Sequence, residues 1–326
     1  MKDWRYRLSE HRGTLLAFVF FILMFVIYAS NHPAGFTANV VQTAANKGVL
    51  LALVAVAQTF VVLTAGIDLS VGMVFVLTNC LASAIVVGSP AMVGLGIVGV
   101  LLTGLICGAI NGAIVIYGRL QPIVTTIATG AVYFGIALAM RPVPGGDVDS
   151  DLSDALTGRL FGVLPVSLIA LFVVVLVIWV PFRRSAIGRA TYAVGSSEVA
   201  AYMSGVPVQA AKFFAYVLSG LIASMAGLFL TFITASGEAS AANGGSYTLY
   251  SIAAVVLGGV SLFGGSGSAI GAIFGALMFR TIGDLLFVFD LDPLWQPLFQ
   301  GVVLLAAVCL GSVRLFQIRN RLDLFE

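Results

Sequence analysis

The chain is a succession of long apolar runs separated by short polar segments. A helix needs about 20 predominantly apolar residues, with a usual range of about 17 to 25, to cross the hydrocarbon core of a bilayer. The sequence therefore predicts an all-α, polytopic membrane protein with about ten transmembrane helices in a single domain, residues 1–326. The ten runs cover residues 14–28, 48–64, 71–87, 91–117, 123–140, 163–181, 213–235, 249–263, 268–288 and 293–310.

The basic residues indicate how these helices are oriented. Short loops rich in Lys and Arg tend to stay in the cytoplasm. If the N-terminus is inside, ten crossings return the C-terminus inside, and only Lys47, Arg141 and Arg159 fall in exterior segments. Both termini are therefore predicted to be cytoplasmic. The basic residues that this topology places inside are Lys2, Arg5, Arg7, Arg12, Arg119, Arg183, Arg184, Arg189, Lys212, Arg314, Arg319 and Arg321.

The composition excludes several classes of protein. Hydrophobic residues make up 60% of the chain and charged residues only 9%, whereas soluble domains carry about 25% charged residues. A water-soluble enzyme is therefore excluded. The net charge of +2 gives no basis for nucleic acid as a partner.

The residues that catalysis or cofactor binding would require are also missing. A P-loop needs a lysine directly after glycine, but the three lysines follow Met1, Asn46 and Ala211. We therefore expect no enzymatic activity, no cofactor and no metal site in this chain. The histidines and cysteines have no metal-ligand spacing: they are His11, His32, Cys80, Cys107 and Cys309.

Two connecting segments are longer than a tight turn. Residues 141–162 contain two prolines, a Gly-Gly pair and four aspartates, a composition typical of a solvated exterior loop. Residues 182–212 form a cytoplasmic loop in which Ser196 or Ser197 can cap a helix that Gly205 ends. This loop is predicted to contain a short helix of about two turns, with an apolar face centred on Ala200 and Ala201.

Three motifs together resemble one known family. They read AGIDLSVG at residues 65–72, AVGSSEVAA followed by SGV within 193–206, and IAAVVLGGVSLFGG at 252–265. In this order they resemble the ribose-type permeases of bacterial sugar ABC importers, and the resemblance extends over nearly the whole chain.

The resemblance implies a multi-pass subunit of the bacterial inner membrane that forms the path for a sugar or related polyol. It implies a second permease, either a copy or a sister chain, together with two cytoplasmic ATPase subunits that bind ATP and a periplasmic sugar-binding protein. Residues 141–162 would then be a periplasmic loop. The resemblance also implies that the cytoplasmic loop docks on the ATPase through a coupling helix, here Ser196, Ser197, Glu198, Val199, Ala200, Ala201, Tyr202, Met203 and Gly205.

Isolated polar residues within the apolar runs, together with Asp68 at the junction of the second and third runs, are candidates for the translocation path: Gln58, Asp68, Asn79 and Asn111. Polar groups inside a membrane are costly and often functional. Amides can equally hold helices together through hydrogen bonds, and Asp68 can bond backbone N–H groups at a helix end. The sequence leaves both interpretations open.

Arg280 and Asp284 stand four residues apart in the ninth run and so share a helix face. They are predicted to form a structural ion pair, with a role in opening the path as the alternative. They are also the only plausible titratable set for a second function, an ion-coupled secondary transporter of a small polar solute.

Overall fold

The structure is a computed structural model that describes residues 12–306 and residue 309. The basic residues predicted at both ends of the chain, from Lys2 to Arg7 and from Arg314 to Arg321, lie outside the described residues, as does most of 307–310. The helices are α1 Arg12–Asn31, α2 Ala38–Val62, α3 Val71–Ile85, α4 Pro90–Ile116, α5 Pro122–Met140, α6 Ser150–Thr157, α7 Val166–Arg184, α8 Ala186–Ser196, α9 Glu198–Met203, α10 Val208–Thr234, α11 Ala241–Leu257, α12 Ala269–Val288 and α13 Gln296–Ala306.

The helical, multi-pass architecture is confirmed. Among the described residues, seven helices are long and apolar enough to span a membrane: α1, α2, α4, α5, α7, α10 and α12. The other three predicted runs coincide with the shorter helices α3, α11 and α13. The number of crossings and the side on which the termini lie stay predictions.

Two helices begin earlier than the apolar pattern predicts. α2 starts at Ala38, where the Thr37 side chain accepts a hydrogen bond from the Val40 N–H. α11 starts at Ala241, where Ser240 accepts from the Asn243 N–H. The hydropathy pattern misses these first turns because they contain polar residues, although a side-chain cap stabilises each of them.

Segment 141–162, which is predicted to be exterior, has more structure than the solvated loop that its composition predicts. Asp149 caps α6 by accepting from the Leu152 N–H at 2.8 Å, and the Ser153 hydroxyl donates to the Phe232 carbonyl of α10. Gln42 and Asn46 both donate to the Thr157 carbonyl, at 2.7 and 2.9 Å. A two-residue strand pair, Arg159–Leu160 with Leu164–Pro165, follows α6.

α2 lies at the centre of the bundle, and almost every side chain from Val49 to Leu63 is buried. It packs against α10, α11 and α12, while α10 also covers α3 and α4. α1 lies at the edge, against α12. Its other side carries many exposed apolar side chains, as expected for a helix that faces lipid.

Glycines on α4 and α12 allow close contacts between helix backbones. A Cβ placed on Gly104 of α4 would lie 2.4 Å from the Gly220 carbonyl oxygen of α10. A Cβ on Gly275 of α12 would lie 2.1 Å from the Ala254 carbonyl oxygen of α11. Only glycine allows these backbones to approach so closely.

The connections α2–α3 and α10–α11 are built alike. Residues 64–70 and 234–240 both read Thr-Ala-x-x-acid-x-Ser. In each, the alanine has a positive φ, 61° at Ala65 and 49° at Ala235. Both connections join a long helix to a short one, so we name them the first turn segment (64–70) and the second turn segment (234–240).

The two short helices that follow these segments meet at their N-terminal ends. The Gly72 N–H donates to the Thr248 hydroxyl at 3.1 Å, and a Cβ on Gly72 would lie 1.9 Å from the Gly244 carbonyl oxygen. Short or interrupted helices in corresponding positions of a transporter are a general pointer to its substrate path.

Candidate functional site

The predicted short helix of the cytoplasmic loop is present as α9. Of the two possible caps, Ser197 caps it by accepting from the Ala200 N–H at 3.3 Å, whereas the Ser196 hydroxyl donates back to the Tyr192 carbonyl. Glu198 lies in the first turn and forms an ion pair with Lys212 of α10. Gly205, with a φ of 74°, ends the helix as predicted.

The exposed side of α9 differs from the predicted one. Ala201 is only 4% exposed, because α9 lies on α8 and α10 and inserts this small side chain among Ala190, Val194, Val208 and Ala211. Ala200 is exposed as predicted, and the large exposed apolar side chains are Val199, Tyr202 and Met203, at 74%, 74% and 81%. Their spacing of i, i+3 and i+4 places them on one side, which we name the α9 face. It borders a shallow pocket of about 340 Å³.

The three motifs that carry the family resemblance meet directly behind α9. The Gly265 N–H donates to the Leu63 carbonyl at 3.1 Å. A Cβ on Gly195, near the end of α8, would lie 1.9 Å from that carbonyl oxygen and 2.4 Å from the Gly265 nitrogen. A Cβ on Gly264 would lie 2.7 Å from the Ala65 nitrogen.

We name this contact of Leu63, Ala65, Gly195, Gly264 and Gly265 the glycine junction. It joins the helix that precedes α9 to the end of α2 and to the segment between α11 and α12. The Tyr192 hydroxyl, which donates to the Gly267 carbonyl at 2.8 Å, makes a second link from α8 to that segment. From the sequence, Gly264 and Gly265 belong to the third family motif, which does not indicate which backbone atoms they contact.

Asp68 lies in the first turn segment and is 2% exposed. Its Oδ1 accepts from the Ser70 N–H at 2.9 Å and from the Ser70 hydroxyl at 2.6 Å, and the Ser219 hydroxyl of α10 donates to its Oδ2 at 3.4 Å. With the Gln58 amide oriented so that donors face acceptors, its nitrogen donates to the Asp68 carbonyl at 2.9 Å and its oxygen accepts from the Asp68 N–H at 3.3 Å.

The same network extends into α4 and α5. The Asn111 amide nitrogen donates to the Ser70 hydroxyl at 2.7 Å, and its oxygen accepts from the Tyr133 hydroxyl at 3.0 Å. The structure thus brings together three of the four path candidates, Gln58, Asp68 and Asn111. Sequence reasoning missed their partners Ser70, Tyr133 and Ser219, of which only Ser70 has a local signal, its place in the first motif.

Asn79 lies apart from this network and holds the second turn segment. Its amide nitrogen donates to the Thr231 hydroxyl at 2.8 Å and to the Ser236 carbonyl at 3.2 Å. Its oxygen accepts from the Glu238 N–H at 2.9 Å. Gln58 and Asn79 therefore have equivalent structural roles, since each side-chain amide binds the backbone of the acidic residue in one turn segment.

All four path candidates are buried and hydrogen-bonded within the chain. Their amides and the Asp68 carboxylate have the chemistry to bind sugar hydroxyls, but a solute could reach them only after the surrounding helices had moved. Their role in the path stays a prediction.

The predicted ion pair of Arg280 and Asp284 is wrong for this conformation. Among the residues that the structure describes, the pair Lys212–Glu198 is the only one with nitrogen and oxygen within 4.0 Å. Arg280 and Asp284 share a helix face but both border a pocket, which Lys47 and His32 also line. A shared face permits contact without requiring it, because long side chains can turn toward other groups.

Comparison with known proteins identifies a family for the chain. A family model described as "Branched-chain amino acid transport system / permease component" matches residues 40–308. The ribose import permease protein of Haemophilus influenzae is 35% identical over 90% of this chain and 91% of its own length. The ribose import permease of Escherichia coli K12 is 33% identical over 89% and 91%, and the D-allose transport system permease of that strain is 30% identical over 90% of both. No solved structure matches.

Proposed function

The chain belongs to this family of transport-system permease components, and from that membership we propose how it couples to its partners. It is a multi-pass protein of the inner membrane and the permease subunit of a sugar ABC importer, a transport subunit rather than an enzyme. The full-length similarity to ribose and allose import permeases carries this conclusion and favours it over an ion-coupled secondary transporter.

An ABC importer of this kind works with an ATPase and a binding protein. We propose that two permeases, either two copies of this chain or one copy with a sister, assemble with two cytoplasmic ATPase subunits and one periplasmic sugar-binding protein. ATP binds to the ATPase subunits, and this chain holds no cofactor. Residues 182–212 form the cytoplasmic coupling loop, and 141–162 lie in the periplasm.

The α9 face is the proposed contact with the ATPase. Three large apolar side chains that stand on one side of a short helix and are free of their own chain suit insertion into a groove of a partner. Ala201 has a different role, because it fixes α9 onto α8 and α10.

The glycine junction is the proposed route from α9 to the membrane helices. Gly195, Leu63 and Gly265 touch through backbone atoms, so no side-chain rotation can absorb a displacement between them. Densely packed contacts transmit strain. A shift of α8 and α9 would therefore reach the end of α2 and, through it, the first turn segment that contains Asp68.

The polar network around Asp68 is the proposed part of the path that responds to this shift. If its helices separate, the Gln58, Asp68 and Asn111 side chains exchange bonds within the protein for bonds to sugar hydroxyls. Asn79 would act in the same way at the second turn segment. Hydrogen bonds exchanged in this manner favour weak, reversible binding, as transport requires.

Reconstitution tests the function directly. Proteoliposomes that contain this chain, the ATPase and the binding protein encoded by neighbouring genes should take up labelled ribose, allose or fructose only with internal ATP. The chain purified alone should show no ATP turnover. Uptake that needs a proton or sodium gradient and ignores ATP would overturn the proposal.

A further inference from the structure

A second pocket, which charged side chains line, lies at the opposite end of the bundle from α9. It has a volume of about 600 Å³ and lies between the end of α1, the start of α2, the end of α12 and the start of α13. In the predicted topology this end faces the exterior. The charged side chains that line it are Lys47, Arg280 and Asp284.

Asp284 lies within electrostatic range of Arg280 and Lys47, but the three charges form no close ion pair in the part of the chain that the structure describes. None of them has a hydrogen bond in the described part of the chain, and no ion pair within 4.0 Å joins them. The Arg280 Nε is buried and has no hydrogen-bond partner. Arg280 and Asp284 are half-buried, whereas Lys47 is exposed. A half-buried charge without a close partner is costly, so Arg280 and Asp284 fit a pocket that is filled by a ligand.

The charges define the chemistry of that ligand. The two cations and the one carboxylate give these three side chains a formal net charge of +1. The Arg280 guanidinium and the Lys47 ammonium group can donate hydrogen bonds to phosphate oxygens. The separate Asp284 carboxylate can bind a cation. A ligand that carries a phosphate and an ammonium group satisfies all three.

The position of the pocket indicates the source of the ligand. α1 forms one wall and is the helix at the edge of the bundle, with exposed apolar side chains such as Leu23, Val26 and Ile27 near this end. Phe287 and Leu291 line the pocket and are themselves 64% and 43% exposed. A site with an apolar rim beside a lipid-facing helix is suited to a headgroup whose acyl chains lie outside.

We propose that this pocket binds the phosphoethanolamine headgroup of a membrane phospholipid, with the phosphate on Lys47 and Arg280 and the ammonium on Asp284. The lipid would fill the gap between α1 and the α2–α12 core and hold α1 in place. The site is separate from the Asp68 network and from α9.

Native mass spectrometry of the full chain, delipidated in detergent, tests the proposal. Phosphatidylethanolamine should be retained more strongly than phosphatidylcholine, whose trimethylated nitrogen cannot donate a hydrogen bond to Asp284. Because this comparison uses the wild-type chain, it does not depend on whether a variant folds. Equal retention of the two lipids would overturn the proposed role of Asp284.

Variants test the individual contacts. Arg280→Gln should weaken phosphatidylethanolamine retention by about tenfold or more, since it removes a charge-assisted hydrogen bond. Asp284→Asn should remove the preference for phosphatidylethanolamine over phosphatidylglycerol. The control Arg159→Gln changes an exposed arginine on the same side and should retain lipid as the wild type does.

Three results would overturn the assignment. One is equal retention of lipid by the wild type and by both pocket variants. Another is stabilisation by inorganic phosphate or O-phosphoethanolamine with no response to phospholipid, which would make the ligand a soluble phosphate. The third is binding of labelled ribose that Arg280→Gln abolishes, which would make the pocket a sugar site.

Discussion

At the scale of single residues, buried amides support the backbone where two helices are interrupted. Gln58 satisfies both the N–H and the carbonyl of Asp68, and Asn79 satisfies the N–H of Glu238. A backbone group that is buried without a partner costs about 1–3 kcal/mol. The turn segments can therefore persist inside an apolar bundle only while these side chains bind them.

Gln58→Leu should lower the stability of the protein by about 1–3 kcal/mol, because the apolar side chain leaves the Asp68 backbone unpaired. Thermal unfolding in detergent measures the loss. Gln209→Leu makes the same chemical change at an exposed position and should leave the unfolding midpoint unchanged. Equal midpoints for Gln58→Leu and the wild type would show that the amide does not support the turn.

Gly195→Ala tests the glycine junction. The added methyl group would overlap the Leu63 carbonyl, and overpacking of this kind costs about 1–3 kcal/mol. We expect the complex to assemble but to hydrolyse more ATP per sugar imported, because α8 is displaced from α2. The ratio of ATP hydrolysed to sugar imported in proteoliposomes measures this.

The control for that experiment is Gly135→Ala on α5, where nothing lies within 4 Å of the added group. Its coupling ratio should match that of the wild type. If Gly195→Ala also couples normally, the junction is a packing contact without a role in transmission.

At the scale of single elements, α9 shows how a six-residue helix can have two sides with different roles. Ala201 binds it to its own chain, and the α9 face remains free. An alanine-to-tryptophan change at 201 would therefore damage the fold of the loop itself. Substitutions on the α9 face are the appropriate test of docking.

Met203→Glu and Tyr202→Ala should each abolish uptake and weaken copurification of the ATPase while expression stays normal. Tyrosine is enriched among the few interface residues whose truncation costs about 2 kcal/mol or more, or about 30-fold in affinity, and Met203→Glu places a charge in the apolar contact. Phe161→Ala removes an aromatic ring that is 90% exposed, from the segment predicted to be exterior, and should change neither quantity. Normal copurification with both α9 variants would refute the docking assignment.

Glu198→Lys should have a smaller effect than the α9 face variants. It breaks the ion pair with Lys212, but exposed pairs contribute only about 0.2–1 kcal/mol. It also places a positive charge at the N-terminus of α9, where the helix dipole disfavours a positive charge by a similar free energy. Retained copurification with reduced uptake is the expected result.

At the scale of the whole molecule, the predicted orientation can be tested with single cysteines. In a Cys309→Ser background, Ser204→Cys should react with an impermeant maleimide only after the membrane is opened, and Val163→Cys should react in intact cells. Both positions are exposed, while Cys80 and Cys107 are buried. The reverse pattern of labelling would show that the topology is the inverse of the predicted one.

The sequence by itself determined the membrane class, the helical architecture and the family. Hydropathy over some 20 residues is a local property that the bilayer imposes on each span separately. The caps of α9 were also readable, because a capping serine and the N–H it accepts from lie three residues apart. The three family motifs could also be recognised in the sequence, although their spacing does not show that they contact one another at the glycine junction.

Only the tertiary structure decided which polar groups are partners. Ser219 reaches Asp68 across 151 positions of the chain and Gln42 reaches Thr157 across 115, and such pairings depend on how distant helices pack. The tertiary structure also decided which side of α9 is buried. It left Arg280 and Asp284 without an ion pair, although their helical spacing places them on one face. Spacing along one helix fixes which residues share a face, whereas the neighbouring helices fix what each side chain contacts.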